Sequence, residues 1–108
     1  VRIGRHAMIG GMSGVEGDVI PYGSVMGNRA VLSGLNIIGL KRRKFSRDDI
    51  HDLRPAYRLL FAQEGTLSER VEDVAEMFKN SDPVIEIVSF IRGDSPRAVI
   101  QPEIKHAA

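Results

Sequence analysis

The feature that most limits how this chain can fold is a six-residue period in its first twenty residues. A branched aliphatic residue recurs at Ile3, Ile9 and Val15, with glycine and other small residues between them. This period is typical of a hexapeptide-repeat parallel β-helix, in which each unit forms one flat side of a triangular coil and its aliphatic side chain points into the prism. Small residues are expected at the corners, because some corner positions require unusual backbone angles. The alternative is a glycine-rich loop with this spacing by chance.

Three six-residue units form one coil, so residues 1–20 predict about one full coil. We expect short parallel strands over residues 1 to about 27, with Ile3, Ile9 and Val15 pointing inward. A single coil cannot bury a continuous core. The period therefore also implies further coils before Val1.

Glycine and charge divide the chain into two parts. Residues 1–34 hold eight of the 11 glycines and five charged residues, whereas residues 35–108 hold three glycines and 24 charged residues. Such a shift in composition predicts an architectural boundary between Asn28 and Asn36. We place it between residues 1–34 and residues 35–108.

The second part has the spacing and capping signals of helices. A short helix is predicted over Gly34 to Lys44. Ser46 with Asp49, and Thr66 with Glu69, have the spacing of capping boxes and predict two helix starts. The first of these two helices has its apolar stripe at Ile50, Leu53, Tyr57, Leu60 and Phe61, and the second at Leu67, Val71, Val74, Ala75 and Phe78.

Proline and glycine mark the remaining boundaries. Pro55 should bend the first long helix or remove one of its hydrogen bonds, and Gly65 is predicted to end it. Asp82 as N-cap, with Pro83 at the first helical position, predicts a third long helix whose segment 84–91 is the most buried. After Gly93 the tail shows no clear period.

Composition excludes several classes of function. The formal net charge is +1 and there is no cysteine, which argues against a nucleic-acid partner and removes disulfides and thiolate chemistry. A cytoplasmic location is compatible with this composition. No apolar run approaches the roughly 20 residues of a membrane-spanning helix. His6, His51 and His106 have neither metal-ligand spacing nor a dyad partner, so we predict no metal site, no cofactor and no catalytic centre within this chain.

The basic run 41–44 (Lys41, Arg42, Arg43 and Lys44) is the strongest electrostatic feature. It is either a solvated helix end, favoured by the helix dipole, or a site for a phosphate-bearing ligand held by arginine forks. Asn36 is either a helix cap or a ligand contact. Gly10 and Gly11 form either a corner of the coil or a place where a ligand chain lies against bare backbone.

Taken together, the sequence resembles the UDP-N-acetylglucosamine O-acyltransferases that begin lipid A synthesis in Gram-negative bacteria. The resemblance rests on residues 3–15, 18–22, 27–30 and 34–47, and the segment from Asn36 through Ser46 is its most specific part. It implies the end of a left-handed parallel β-helix over residues 1–34, followed by a small α-helical C-terminal domain over residues 35–108.

The resemblance implies an enzyme that moves a 3-hydroxyacyl group from acyl carrier protein to the 3-hydroxyl of UDP-N-acetylglucosamine. Members are homotrimers with active sites between neighbouring β-helices, and the histidine base and oxyanion donor lie upstream of this chain, so the fragment should be inactive alone. The implied substrate-binding residues are Asn36, Arg42 and Arg43 for the nucleotide sugar, and Met8 and Gly11 for the acyl chain.

Two positions depart from the family's pattern. Ile38 stands where a glutamate is usual, and Arg29 stands where a histidine follows Gly-Asn, so the detailed nucleotide geometry is expected to differ. The alternative function is a structural trimerisation or partner-docking module without a substrate site of its own. The two functions differ in whether the side chains from Asn36 to Arg43 point into a cleft between subunits.

Overall fold

The computed structural model describes residues 1–93, 95 and 97–103. Three strands are followed by four helices: β1 (Met8–Ile9), β2 (Gly23–Met26), β3 (Val31–Leu35), α1 (Ile37–Arg42), α2 (Arg47–Leu60), α3 (Leu67–Met77) and α4 (Asp82–Arg92). The strands form one sheet in the order β1-β2-β3, helices α2, α3 and α4 pack on one another, and α2 also contacts β3. Within these residues no helix is long and apolar enough to cross a membrane.

The first part of the chain pairs in parallel, as its period predicts. β1 lies beside β2 with Ile9 opposite Val25, and an isolated parallel bridge joins Ile3 to Val19. In both pairs the partner comes 16 positions later in the sequence. This offset is two residues shorter than three hexapeptides, so the coil is tighter than the period alone predicts.

β2 and β3 form an antiparallel hairpin. β2 is therefore parallel to β1 on one side, as expected for residues 1 to about 27, and antiparallel to β3 on the other, so the parallel coil does not continue into Val31–Leu35. The connection between the two strands is only four residues long, and a parallel crossover needs a dozen or more. Gly27 begins this connection at φ 108°, which confirms the turn signal of the Gly27-Asn28 pair.

The repeated aliphatic residues Ile3 and Ile9 point to the expected side of the sheet, but they are less buried than the residues with which they pair. Neighbours paired in a parallel ladder project to the same side of the sheet. Ile3 and Ile9 therefore share a side with Val19 and Val25, which are 0% and 1% exposed. Ile3 itself is 55% exposed and Ile9 36% exposed, because nothing in the described chain covers that end of the coil. Val15 is partly buried against the core.

The left-handed positions at the corners of the coil are not occupied by glycine, although Gly11 lies in the turn that Met12 completes. His6, Met12 and Tyr22 hold left-handed backbone angles, with φ of 60°, 57° and 65°. Glycine is required instead where two layers of the coil touch. A Cβ at Gly14 would overlap the carbonyl oxygen of Asn28. The expectation of small residues at the corners is therefore wrong at these three positions, although glycine still permits the close stacking.

The two predicted capping boxes are confirmed at the helix starts. The Ser46 hydroxyl accepts the Asp49 N–H at 3.0 Å, and the Thr66 hydroxyl accepts the Glu69 N–H at 3.2 Å. α2 ends at Leu60 rather than at Gly65, and Pro55 lies inside it. Ser81 occupies the N-cap position of α4 without a capping hydrogen bond from its side chain, so the prediction of Asp82 as N-cap is wrong by one residue.

Both parts of the chain contribute to a single core. Its buried residues in the first part are Val19, Ile20, Tyr22, Val25, Ala30 and Leu32, and those in the helices are Leu40, Ile50, Leu53, Ala56, Leu60, Val71, Val74, Val84, Ile87 and Val88. α4 alone buries Pro83, Val84, Ile87 and Val88, in agreement with the prediction for its apolar run.

The tail returns to the sheet after the last helix. The Asp18 N–H donates to the Ala98 carbonyl at 2.9 Å, and the Ile100 N–H donates to the Asp18 carbonyl at 2.8 Å. The Leu32 N–H donates to the Gln101 carbonyl at 3.1 Å. Residues 98–101 therefore add a further layer below the coil. Nothing in their sequence predicted this pairing.

The Asp18 carboxylate is buried and is held by Arg2. It accepts the Arg2 backbone N–H at 2.8 Å and the Arg2 guanidinium Nε at 3.0 Å. Burial by itself raises the pKa of the carboxyl, but the hydrogen bonds from the Arg2 N–H, Ser95 and the guanidinium together bring the pKa below its ordinary value. This ion pair joins the start of the coil to its next layer.

Candidate functional site

Asn36 holds the start of α1 against the coil. Its side-chain carbonyl accepts the Gly39 N–H at 3.1 Å, which makes Asn36 the N-cap, and its amide donates to the His6 carbonyl at 3.0 Å. A Cβ at Gly39 would overlap the Asn36 amide, so a larger residue there would displace this side chain from its two hydrogen bonds. The cap interpretation of Asn36 is thus confirmed, and the residue also bridges α1 to the turn at His6.

The basic run 41–44 forms the end of α1. Arg42 is the last helical residue, Arg43 is the C-cap, and Lys44 has a left-handed φ of 62°. All four side chains are exposed, and within the described residues none of them forms an ion pair with a carboxylate. Cations at a helix C-terminus are favoured by the helix dipole, and here they remain available to an anion.

Three aromatic rings form a cluster between the coil and the start of α2. The His6 and Tyr22 rings stack with centroids 5.9 Å apart, and Phe45 meets their edges at 5.8 Å and 5.4 Å. Phe45 directly follows the basic run, so its packing in this cluster fixes the position of the run relative to the coil. Sequence analysis did not group these three residues.

The surroundings of His6 disfavour its charged form and lower the pKa of the imidazole. Burial lowers the pKa of His6, the positive charges of Arg43 and Arg5 lower it further, and Glu86 opposes them more weakly. The structure brings Asn36 and His6 together through the bond from the Asn36 amide to the His6 carbonyl. Within the described residues, no hydrogen bond or ion pair of the Arg42 or Arg43 side chain joins either of them to this pair.

The Tyr22 hydroxyl joins a polar cluster on α4. It donates to Glu86 Oε1 at 2.6 Å and accepts from Arg5 Nη2 at 3.2 Å. Arg5 also donates to both Glu86 oxygens, at 2.7 Å and 3.2 Å. Burial and the bond to Glu86 raise the pKa of Tyr22 to about 12, so the phenol keeps its proton. We call Arg5, Tyr22 and Glu86 the tyrosine clamp.

Met8 and Gly11 lie on the outer surface of the coil, beyond the turn at His6. Met8 is 55% exposed, and a side chain at Gly11 would meet open space. Met12 and Met26 are also exposed nearby in the sequence and in the sheet. This surface is apolar and open, and His6 lies two residues from Met8 along the chain.

A groove of about 430 Å³ lies beside the basic run. It is lined by Lys41, Phe45, Arg47, Ile50, His51 and Arg54. Arg47, His51 and Arg54 are spaced by four and three residues on α2 and therefore share a helix face. Sequence analysis found neither metal-ligand spacing nor a dyad partner for His51 and missed this face, although the spacing of Arg47, His51 and Arg54 was a usable signal.

Metal chemistry has no support in the described residues. They contain no group of three histidine, aspartate or glutamate side chains that could hold an ion. His106 lies outside the described residues.

A short parallel coil thus leads into a helical part with an exposed basic helix end. The sequence model of the family described as UDP N-acetylglucosamine O-acyltransferase, domain 2, matches residues 18–100. The chain belongs to this family.

Curated relatives carry the name acyl-[acyl-carrier-protein]–UDP-N-acetylglucosamine O-acyltransferase. The protein from Methylobacterium radiotolerans is 64% identical over 91 residues, which cover 84% of this chain and 34% of the relative. That from Caulobacter vibrioides is 58% identical over 89 residues, covering 82% of this chain and 34% of the relative. The chain thus spans about a third of the length of these relatives.

Solved structures agree in fold. A UDP-N-acetylglucosamine acyltransferase from Bacteroides fragilis superposes with a TM-score of 0.84 at 34% identity, covering 93% of this chain and 39% of that one. The Arabidopsis UDP-N-acetylglucosamine acyltransferase superposes with a TM-score of 0.85 at 34% identity, covering 92% of this chain and 38% of that one. The resemblance inferred from the sequence is confirmed.

Proposed function

We propose that this chain is the C-terminal part of an acyltransferase that moves a 3-hydroxyacyl group from acyl carrier protein to the 3-hydroxyl of UDP-N-acetylglucosamine, in lipid A biosynthesis. The observation that carries the proposal is the family match over residues 18–100, which includes the whole of α1 and the basic run 41–44. Relatives at 64% and 58% identity are named for this transfer.

Asn36, Arg42 and Arg43 are the proposed contacts to the nucleotide sugar. Arginine guanidinium groups match phosphate oxygens in a bidentate fork, and both arginines are exposed without a carboxylate partner in the described chain. Asn36 already caps α1, so its direct contact would use the remaining acceptor and donor capacity of its amide. Exposed Ile38, where the family's pattern has glutamate, would remove one polar contact beside it.

Met8 and Gly11 are the proposed contacts to the acyl chain. A hydrocarbon chain gains free energy by covering apolar surface, and Met8 offers a flexible apolar side chain on the open side of the coil. Gly11 leaves bare backbone with no neighbour where a side chain would be. Both lie close in sequence to the turn at His6, to which Asn36 binds.

Catalysis is proposed to rest on residues outside this chain. Acyl transfer to a hydroxyl needs a general base, and within the described residues no imidazole is hydrogen-bonded to a carboxylate. We retain the division proposed from the sequence, with residues 1–34 as terminal coils of a left-handed β-helix and residues 35–108 as the helical domain.

The homotrimer is a proposal supported by exposed apolar surface. Val1, Ile3 and Ile9 are exposed on the coil, and such surface is covered either by further coils or by other subunits. Light scattering on the full-length protein should give the mass of a trimer. A stable monomer at micromolar concentration would contradict it.

The transfer itself is tested with purified full-length protein, 3-hydroxyacyl–acyl carrier protein and UDP-N-acetylglucosamine. We expect an acylated nucleotide sugar with the new ester at the 3-hydroxyl, identified by mass spectrometry and NMR. UDP-glucose is the matched control acceptor. Full-length protein that assembles as a trimer yet transfers no acyl group would favour the alternative of a structural or partner-docking module.

A further inference from the structure

The tyrosine clamp connects three segments that are far apart in the sequence. Tyr22 and Glu86 are 64 residues apart, and Arg5 and Glu86 are 81 residues apart. The Glu86 carboxylate accepts from both partners, and hydrogen bonds to a charged group are among the stronger ones in proteins. α4 is therefore attached to the coil at one point by directional bonds.

Tyr22 also contacts Asn36, the N-cap residue of α1. Its backbone N–H donates to the Arg5 carbonyl at 2.9 Å, and its carbonyl accepts the Asn36 N–H at 2.7 Å. Its ring stacks on His6, whose carbonyl accepts the Asn36 amide at 3.0 Å. Two hydrogen bonds that tie Asn36 to the coil therefore end on Tyr22 and on His6, whose ring stacks on Tyr22.

The phenol of Tyr22 is not needed merely to fill space. The side chain is 1% exposed, and a phenylalanine ring would occupy the same volume. Tyr22 holds a left-handed backbone angle that is unfavourable for an aromatic residue, and the bond to Glu86 opposes relaxation of that turn. The Tyr22 hydroxyl, on a strained turn that binds the start of α1, is therefore suited to fixing the orientation of α1 and of the proposed ligand contacts on it.

We infer that Tyr22, held by Glu86 and Arg5, is a positioning residue that sets the orientation of α1 and so aligns Asn36 and Arg43 with the nucleotide sugar. The inference rests on the proposed function. By this inference α4 affects nucleotide affinity indirectly, although it carries none of the proposed ligand contacts.

The test uses steady-state kinetics of the full-length enzyme and its Tyr22→Phe, Glu86→Ala and Tyr22→Phe/Glu86→Ala variants. We expect KM for UDP-N-acetylglucosamine to rise about five- to tenfold in Tyr22→Phe, roughly the effect of one lost hydrogen bond, and at least as much in Glu86→Ala, which also removes the bonds from Arg5. The value of kcat and KM for the acyl donor should stay within about twofold. The double variant should be no worse than Glu86→Ala, because that change has already removed the acceptor of the Tyr22 hydroxyl.

Tyr57→Phe is the matched control. Tyr57 is partly buried on α2, and its hydroxyl has no hydrogen bond within the described residues. Its KM should not change. A Tyr22→Phe enzyme with a lower melting temperature but unchanged KM would overturn the inference, as would an equal rise of KM in Tyr57→Phe. A wild-type enzyme without acyl transfer would overturn the proposed function itself, and the two failures are therefore distinguishable.

Discussion

Replacing Arg42 or Arg43 by alanine in the full-length enzyme is expected to weaken UDP-N-acetylglucosamine binding by about 10- to 150-fold. Loss of one charge-assisted hydrogen bond to phosphate costs roughly 1.5–3 kcal/mol, at about 1.4 kcal/mol per decade of affinity. Lysine should rescue only in part, because an ammonium group cannot form the planar fork. Isothermal titration calorimetry on the four single variants measures the effect.

Arg42 and Arg43 should not contribute equally to the affinity for UDP-N-acetylglucosamine. Adjacent helical positions point about 100° apart, so both cannot face one ligand squarely from the side of a helix. Arg42 is the last residue of α1 and Arg43 is its C-cap, so Arg43 is the one placed to reach a ligand from the helix end.

The control for this experiment is Lys44→Asn. It removes a neighbouring charge while asparagine tolerates the left-handed angle at that position. We expect its affinity to stay within about twofold of wild type. If all four arginine variants also bind within twofold, the basic run is a solvated helix end and carries no nucleotide contact.

Replacing Asp18 by alanine is expected to lower the free energy of unfolding of the full-length protein by about 2–4 kcal/mol at pH 7, because a buried carboxylate and its charged hydrogen bonds are lost. Glu72→Ala is the matched control. Glu72 is exposed and pairs with Arg92 at the surface, so its loss should cost under about 1 kcal/mol.

The effect of Asp18 should depend on pH in a defined direction. The pKa of Asp18 is lower in the folded chain than its ordinary value, so the unfolded chain takes up its proton first as the pH falls. The stabilisation is complete above the unfolded pKa of about 4 and is lost as the pH falls through the folded value. Urea unfolding at a series of pH values should show wild type and Asp18→Ala converging in acid. A gap that stays constant down to pH 2 would contradict the ion pair.

The features that sequence analysis predicted are those that depend on neighbouring residues. Ser46 and Thr66 cap their helices because the required partner is three residues away, and the apolar stripes follow the helical period. The parallel pairing of Ile3 with Val19 and of Ile9 with Val25 also follows from a local repeat. Each of these signals is contained in one short window of the chain.

The features that it missed depend on segments that are distant in sequence. The pairing of Asp18 with Val99 and the bond of Tyr22 to Glu86 leave no spacing signal, since either partner could face many others. The 16-residue offset of the coil depends on how tightly its corners turn. The residue types of His6 and Met12 do not predict the left-handed backbone angles that they adopt at these corners. Of the candidate site, the cap at Asn36 was predictable, whereas the surrounding aromatic cluster was not.

The return of residues 98–101 to the coil has a consequence for how the molecule is made. Residues 98–101 supply backbone partners to Asp18 and Leu32, which leave the ribosome before them. The cost of closing so long a loop grows only slowly with its length, but contacts between distant segments slow folding. The layer below the coil therefore forms only after the helices between its two parts have been synthesised. Biosynthesis thus leaves this edge of the β-structure unpaired until residues 98–101 follow the helices out of the ribosome.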